Sequence, residues 1–216
     1  MEKIRVMEKP DWVSWDEIHE VLELSQVVNR RRGFNMINAN LSGEKLRKKV
    51  GNGFCVVALD GDKVIATQSV TLSDGDKWYS KGQKVAHYCL TGILKKYQGC
   101  GIKEMLDDEC IKYIVRTDPD IIQANTAENN IVVRKSAYEQ GFIDTQCVTF
   151  KGTDYYSVWF ALWLKKRPFP LWYCHFRYRL SVIYTKTRYK PGKIERFKII
   201  ALAVKACNKV KRLFHK

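Results

Sequence analysis

The sequence has no long hydrophobic run. Its longest apolar stretch, from Ser157 to Leu164, falls far short of the roughly 20 residues a membrane-spanning helix needs. The N-terminus alternates charged with apolar residues and lacks a signal-peptide core, so a cytoplasmic chain is expected. The seven cysteines are odd in number, scattered, and without a C-x-x-C pair. That spacing excludes a disulfide framework or a zinc ribbon and predicts reduced thiols packed as small apolar groups. Four histidines form no H-x-x-x-H or H-x-E pattern, so no metal is expected. Acidic residues are nearly missing from the last quarter. Residues 165–216 carry 16 Lys plus Arg against one acid, Glu195, whereas residues 1–164 carry 22 of each sign. The whole net charge of +15 therefore sits in one segment. Pro168 and Pro170 mark the join, which predicts a neutral domain over 1–164 and a basic extension over 165–216.

Strands and helices alternate through the neutral part. Residues 4–8 read as a short strand. Ser14 and Glu17 fit a capping box, in which each side chain takes the other residue's backbone amide, ahead of a helix that runs to the Arg30–Arg32 cluster and Gly33. A second helix is expected from Ser42 to Val50. Residues 54–59 and 63–72 flank Asp60-Gly61-Asp62, the signature of a β-hairpin. A strand over 85–93 leads through a glycine-bearing loop into a helix that Asp118-Pro119 ends. That helix places Ile102, Met105, Leu106, Cys110, Ile111 and Ile114 on one side and Glu104, Asp107 and Asp108 on the other. A strand over 121–126, a helix over 130–140 and a hairpin of 143–151 with 155–164, turning at Gly152–Asp154, complete the pattern. The strand–helix–strand unit from 85 to 126 demands a parallel pair, and the hairpins demand antiparallel ones. The fold class is α/β with a mixed sheet.

Between the strand at 85–93 and the following helix lies Gln98-Gly99-Cys100-Gly101. A loop at a helix N-terminus offers free backbone N–H groups and the positive end of the helix dipole, both suited to phosphate, and glycine lets a ligand approach the main chain. A tight turn with purely geometric glycines fits the tetrapeptide as well. The wider context resembles the GNAT-type N-acetyltransferases. Gln98-Gly99-Cys100-Gly101-Ile102-Lys103 is similar to their Q/R-x-x-G-x-G/A signature, with Lys103 replacing the usual final small residue. Ile93 stands five residues before the glutamine, and Asn130 to Phe142 is similar to their N-x-x-A-x-x-x-Y-x-x-x-G-F segment.

The resemblance covers about residues 3–164. It implies a mostly antiparallel sheet of six to seven strands with a splayed parallel pair at its centre, flanked by about four helices. It implies acetyl-CoA as co-substrate, with the backbone of Gln98, Gly99, Cys100, Gly101, Ile102 and Lys103 holding the diphosphate. The main chain at Ile93 and Leu94, with Asn130, would hold the pantetheine arm. The family's frequent proton-donating Tyr falls at Ala137, with Tyr138 one place later; the acid is then Tyr138, or water, or there is none. The family's glutamate base falls at His87, whose ordinary pKa suits proton abstraction from an ammonium, although a histidine satisfied by its strand neighbours is the plainer alternative. Asp74, Asp76 and Glu23 are weaker candidates. Trp78 and Tyr79 are candidate lining residues of an acceptor pocket. The acceptor is an amine of a small molecule, an amino sugar or a protein. The alternatives are a CoA-binding module with impaired catalysis, or an adaptor whose basic tail binds a membrane surface or nucleic acid.

In the extension, aromatics from Phe169 to Tyr189 interleave with arginines and lysines, and residues 193–214 read as a basic amphipathic helix. That composition suits an anionic membrane surface at the inner face of a membrane. Packing on the neutral domain or on a second copy in a homodimer is the next alternative, and nucleic acid the third.

Overall fold

The capping box at the start of the first helix forms as the sequence demands. Glu17 accepts the Ser14 amide at 2.7 Å while Ser14 Oγ accepts the Glu17 amide at 3.1 Å. The computed structural model describes residues 4–31, 41–150, 155–190 and 193–194. Chain order is β1 (Arg5–Glu8), α1 (Trp15–Arg31), α2 (Gly43–Val50), β2 (Phe54–Asp60), β3 (Lys63–Asp74) and β4 (Lys84–Ile93), then a single 3₁₀ turn (Lys95–Tyr97). It continues through α3 (Ile102–Thr117), β5 (Ile121–Ala127), α4 (Ile131–Glu139), β6 (Ile143–Val148), β7 (Ser157–Trp163) and α5 (Leu171–Arg188). Two short strands, β8 (Tyr189–Lys190) and β9 (Lys193–Ile194), pair with each other. The helix expected over 193–214 does not start at Lys193, since Lys193 and Ile194 form β9; its remainder, the expected turn at Gly152–Asp154 and the end of α1 at Arg32-Gly33 lie outside the described residues.

The main sheet has seven strands in the order β1-β2-β3-β4-β5-β7-β6. Every pair is antiparallel except β4 with β5. The mixed, mostly antiparallel α/β sheet expected from the sequence is therefore present. Strand β2 is buried along nearly its whole length because helices cover both faces. Val56 and Ala58 meet Leu106, Cys110 and Ile114 of α3, whereas Val57 and Leu59 meet Ile18, Leu22 and Leu46 of α1 and α2. This is the period of two that a strand with two covered faces requires.

Strands β4 and β5 pair only over Val85–His87 with Ile121–Gln123. Past His87 they part, and among the described residues Tyr88–Ile93 has no strand partner across the gap. Within that stretch Leu90 takes φ +51°, and the register against β3 shifts between Cys89 and Gly92. A β-bulge of this kind bends a strand and re-aims its side chains and main chain.

One expectation for α3 needs correction. Asp107 is not on its solvent face but buried, while Met105 and Ile111 are exposed. Asp107 has partners inside the fold, described below, that outweigh the cost of burying a carboxylate. A second element was not anticipated: residues 171–188 of the basic extension form α5, packed along β6. Strand β6 is the edge of the sheet, and an open edge leaves main-chain groups unpaired. Ser181 Oγ accepts the Cys147 amide at 2.8 Å, and Thr185 Oγ1 donates to the Cys147 carbonyl at 2.9 Å. Two hydroxyls one helical turn apart thus close the edge. Replacing Ser181 by Ala and Thr185 by Val together should lower unfolding stability by about 2 kcal/mol, since both groups of Cys147 lose their partners. A urea midpoint identical to wild type would show that α5 does not hold the edge.

Candidate functional site

The site grows from the junction of β4 and α3. Gly101 caps α3 with φ +74° and Gly99 has φ +79°, and a side chain at either would meet open space. Their role is conformational, since left-handed backbone is where glycine costs least. The first intrahelical bond runs from the Met105 amide to the Gly101 carbonyl at 3.1 Å. The amides of Ile102, Lys103 and Glu104 precede that bond and have no acceptor within the helix. Three donors and the positive dipole end therefore face one spot, the arrangement that suits an anion. The Gln98 side chain folds back and donates to the Ile93 carbonyl at 2.9 Å, fixing the loop to the end of β4.

Behind the loop lies a cavity of about 550 Å³ between the parted strands, α1, α3 and α4. Ile93, Gln98, Gly99, Gly101, Ile102, Lys103 and Asn130 all line it. Cys100 and Leu94 do not. Cys100 is exposed on the loop, and the Leu94 amide is bonded to the Ile65 carbonyl of β3 at 2.9 Å. Asn130 begins α4 and donates to Thr126 Oγ1 at 3.1 Å. The volume falls within the range of small-ligand sites. Helix α1 closes one wall because Gly92 admits it: a Cβ there would stand 2.7 Å from Ser25 Oγ.

Sequence reasoning missed the polar floor. Asp107 accepts from Lys103 Nζ at 2.5 Å, from Gln68 Nε2 at 2.8 Å and from Gln140 Nε2 at 3.2 Å. Thr91 Oγ1 in turn donates to Gln68 Oε1 at 3.1 Å. Four elements, β3, β4, α3 and the end of α4, meet in this network. It also settles where the unusual Lys103 points. Its ammonium is paired with a buried carboxylate, so the pair adds no net charge beside the loop. The one signal in sequence was Lys103 and Asp107 at i, i+4.

The structure separates the two residues assigned to proton transfer. Tyr138 does not line the cavity; Ala137 does. The Tyr138 hydroxyl donates to Asp144 at 2.7 Å and accepts from Arg134 at 2.6 Å on the outer side of α4. Burial, then the bond to Asp144, holds its pKa above the ordinary tyrosine value. His87 lies on the sheet face opposite α3, at the last paired position before β4 and β5 part. Its Nε2 is 3.3 Å from Asn125 Oδ1, and Asn125 lines the cavity. Trp159 stacks on the ring at 5.0 Å, with the Lys77 ammonium 4.3 Å from the indole. Burial pushes the His87 pKa down to about 4, with Lys77 adding to the effect and Asn125 opposing it. The ring is neutral at physiological pH.

Tyr79 is fully buried and donates to Gln123 at 3.0 Å, so it presents no surface to a ligand. Trp78 packs against Phe169 and Tyr173 of the extension, under the Arg177 guanidinium. The carboxylate of Asp76 pairs with Lys77, which holds its pKa below the ordinary value. Burial pushes the Cys89 thiol up to about 12, which leaves no thiolate to carry an acyl group. Among the described residues, no group of three His, Cys, Asp or Glu side chains is placed to hold a metal ion.

No protein-family model and no curated protein matches this sequence. Solved structures match its shape. An acetyltransferase of the GNAT family from Staphylococcus aureus is 16% identical, with TM-score 0.54 over 76% of this chain and 100% of its own. A Salmonella typhimurium protein assigned to the acetyltransferases, solved with its cofactor acetyl-CoA, is 12% identical, with TM-score 0.56 over 78% and 98%. The ribosomal-protein-alanine N-acetyltransferase of Brucella melitensis is 14% identical, with TM-score 0.54 over 75% and 99%. What is shared at these identities is the fold. The chain has the fold of the GNAT-type acetyltransferases, and the anion-suited loop lies at the start of its central helix.

Proposed function

We propose that the protein is an acetyl-CoA-dependent N-acetyltransferase in which the acceptor amine attacks directly, without an acyl-enzyme. The observation that carries this reading is a coincidence in space: Ile102–Glu104, whose amides have no acceptor within α3, line a cavity that runs between the parted β4 and β5. The amides would hold a diphosphate, and the walls at Ile93 and Asn130 would hold the arm that ends in the thioester. The Salmonella neighbour, solved with acetyl-CoA, supports the same ligand here. The acceptor, an amine of a small molecule, an amino sugar or a protein, would approach the parting strands from the His87 side. Calorimetric titration with acetyl-CoA, followed by thiol release over a panel of amines, tests the reading. Absence of binding overturns it.

An ammonium must lose its proton before it attacks, and His87 is the base nearest the parting of the strands. Because burial disfavours imidazolium, His87 stays in its basic form down to about pH 4. Activity that depends on it should hold through neutral pH and fall only as the pH drops toward that value, well below an ordinary histidine limb. His87→Gln should lower kcat by about 100-fold at neutral pH, the low end of what a positioned base contributes, with acetyl-CoA affinity unchanged. An unaltered pH–rate profile would remove His87 from the role.

A second reading is a CoA-binding module without turnover. It is favoured by one feature: Ala137 lines the cavity where the resemblance places a tyrosine, while Tyr138 is engaged with Arg134 and Asp144. Binding with no acetylation of any amine would select it.

A further inference from the structure

Helix α5 is mounted with three large apolar side chains, Trp172, Phe176 and Ile183, facing away from the protein. At about 100° per residue, Cys174, Ser181 and Thr185 fall within about 40° of one another. These are the residues that are buried or bonded to β6. On the opposite side, Trp172, Phe176 and Ile183 also fall within about 40° of one another. They are 63%, 47% and 57% exposed. Exposed His175, Arg179 and Lys186 flank this ridge on one side, with Lys186 also paired to Glu128, whereas Arg177 packs over Trp78 and Arg188 lies toward the β6-facing positions. The helix has no acidic residue, and residues 189–216 add nine Lys or Arg against Glu195 alone.

We propose that the outward ridge of α5 is a docking surface for an anionic lipid bilayer. The apolar side chains would enter the interfacial layer, and the flanking cations would meet lipid phosphates. This inference is independent of the acetyltransferase reading. Both halves of the surface find partners in such a bilayer: acyl chains for Phe176 and Ile183, headgroup depth for the amphipathic Trp172, and anionic headgroups for Arg179 and the basic residues that follow the helix in sequence. A symmetric dimer through the same ridge would set these like charges against each other. Nucleic acid would match the cations and stack on the rings, but offers nothing to Ile183. Among the described residues no helix is long and apolar enough to cross a membrane, so contact through α5 is peripheral.

The full-length protein, mixed with extruded phosphatidylcholine vesicles with or without about 30 mol% phosphatidylglycerol, tests this in a sedimentation assay. Partition onto the anionic vesicles should exceed that onto the neutral ones by about tenfold and weaken with salt. The double variant Trp172→Ser, Phe176→Ser should lose about tenfold in partition, because apolar insertion and charge act together. It should also lose quenching of tryptophan fluorescence by shallow brominated lipid. Arg179→Glu should lower partition by a similar factor at low salt. All three positions are exposed, so far-UV circular dichroism and the urea midpoint should match wild type. Equal partition of variants and wild type would overturn the proposal, as would retention of RNA without any vesicle binding. A wild-type dimer in sedimentation equilibrium that the double variant dissociates would overturn it too.

Discussion

Gly101→Glu should abolish acetyl-CoA binding while leaving the chain folded. Two effects act at this position, and they separate. The first is conformational: a side chain at φ +74° costs roughly 1–2 kcal/mol, although no neighbour lies within 4 Å of its Cβ. The second is electrostatic. A carboxylate at the start of α3 competes for the same amides and dipole that a diphosphate would use. It partly repays the strain, because an anion at a helix N-terminus is stabilising by about 0.3–1 kcal/mol. Toward a ligand the sign reverses. Two like charges about 4 Å apart at a protein surface repel by roughly 4 kcal/mol, close to a thousandfold in Kd. Gly101→Ala isolates the conformational part and should weaken binding by no more than about tenfold. Titration calorimetry reads both variants. Wild-type affinity in Gly101→Glu would mean that the loop does not hold the diphosphate.

The parts of this fold that were legible in sequence are those fixed by local chemistry. The Ser14 and Glu17 pair, the Asp60-Gly61-Asp62 turn and the Asp118 stop to α3 each depend on residues a few positions apart. So does the glycine loop, whose geometry is set by Gly99, Gly101 and the Gln98 side chain. What escaped was decided across the sheet. Asp107 looks like a surface acid beside Glu104 and Asp108, and only the arrival of Gln68 and Gln140 makes it a buried one. Helix α5 escaped for a different reason. Its inward positions include Cys174, Ser181 and Thr185, small or polar groups that seal a strand edge, beside the Tyr178 ring that packs on the core, so no aliphatic stripe marks the buried face. Trp172, Phe176 and Ile183 lie on the outside, where periodicity would have assigned a core. In the site, the separation of Ala137 from Tyr138 followed from helical rotation, and the structure places the phenol on the outer side of α4. The surroundings of His87 were illegible: Trp159, Asn125 and Lys77 come from three different segments, and burial among them, aided by the Lys77 charge and opposed by Asn125, makes the imidazole a weak base.

Asp107→Ala should give the largest stability loss of any single change in the cavity. Its carboxylate is the common acceptor for Lys103, Gln68 and Gln140, and its side chain is only 10% exposed. Removing it leaves a lysine ammonium without its carboxylate and the buried Gln68 amide with only the weak acceptor Cys110 Sγ at 3.4 Å. Breaking a buried ion pair from one side costs about 3–5 kcal/mol; Lys103 is partly solvated, which places the expectation near 3 kcal/mol. In a chain of this size that lowers Tm by roughly 10 °C. Ligand binding should move the other way. Lys103 sits in the first turn of α3, and without Asp107 its charge is no longer cancelled beside the loop. Asp107→Asn, which keeps the shape and an acceptor oxygen for Gln68, should retain more stability than Ala and show the same gain. Acetyl-CoA affinity in the Asn variant should rise about threefold to fivefold at low salt, and the gain should shrink as salt is added. A stable Asn variant with unchanged affinity at every salt concentration would show that Lys103 cannot reach the diphosphate. Unchanged Tm in the Ala variant would show that the network carries no load in the fold.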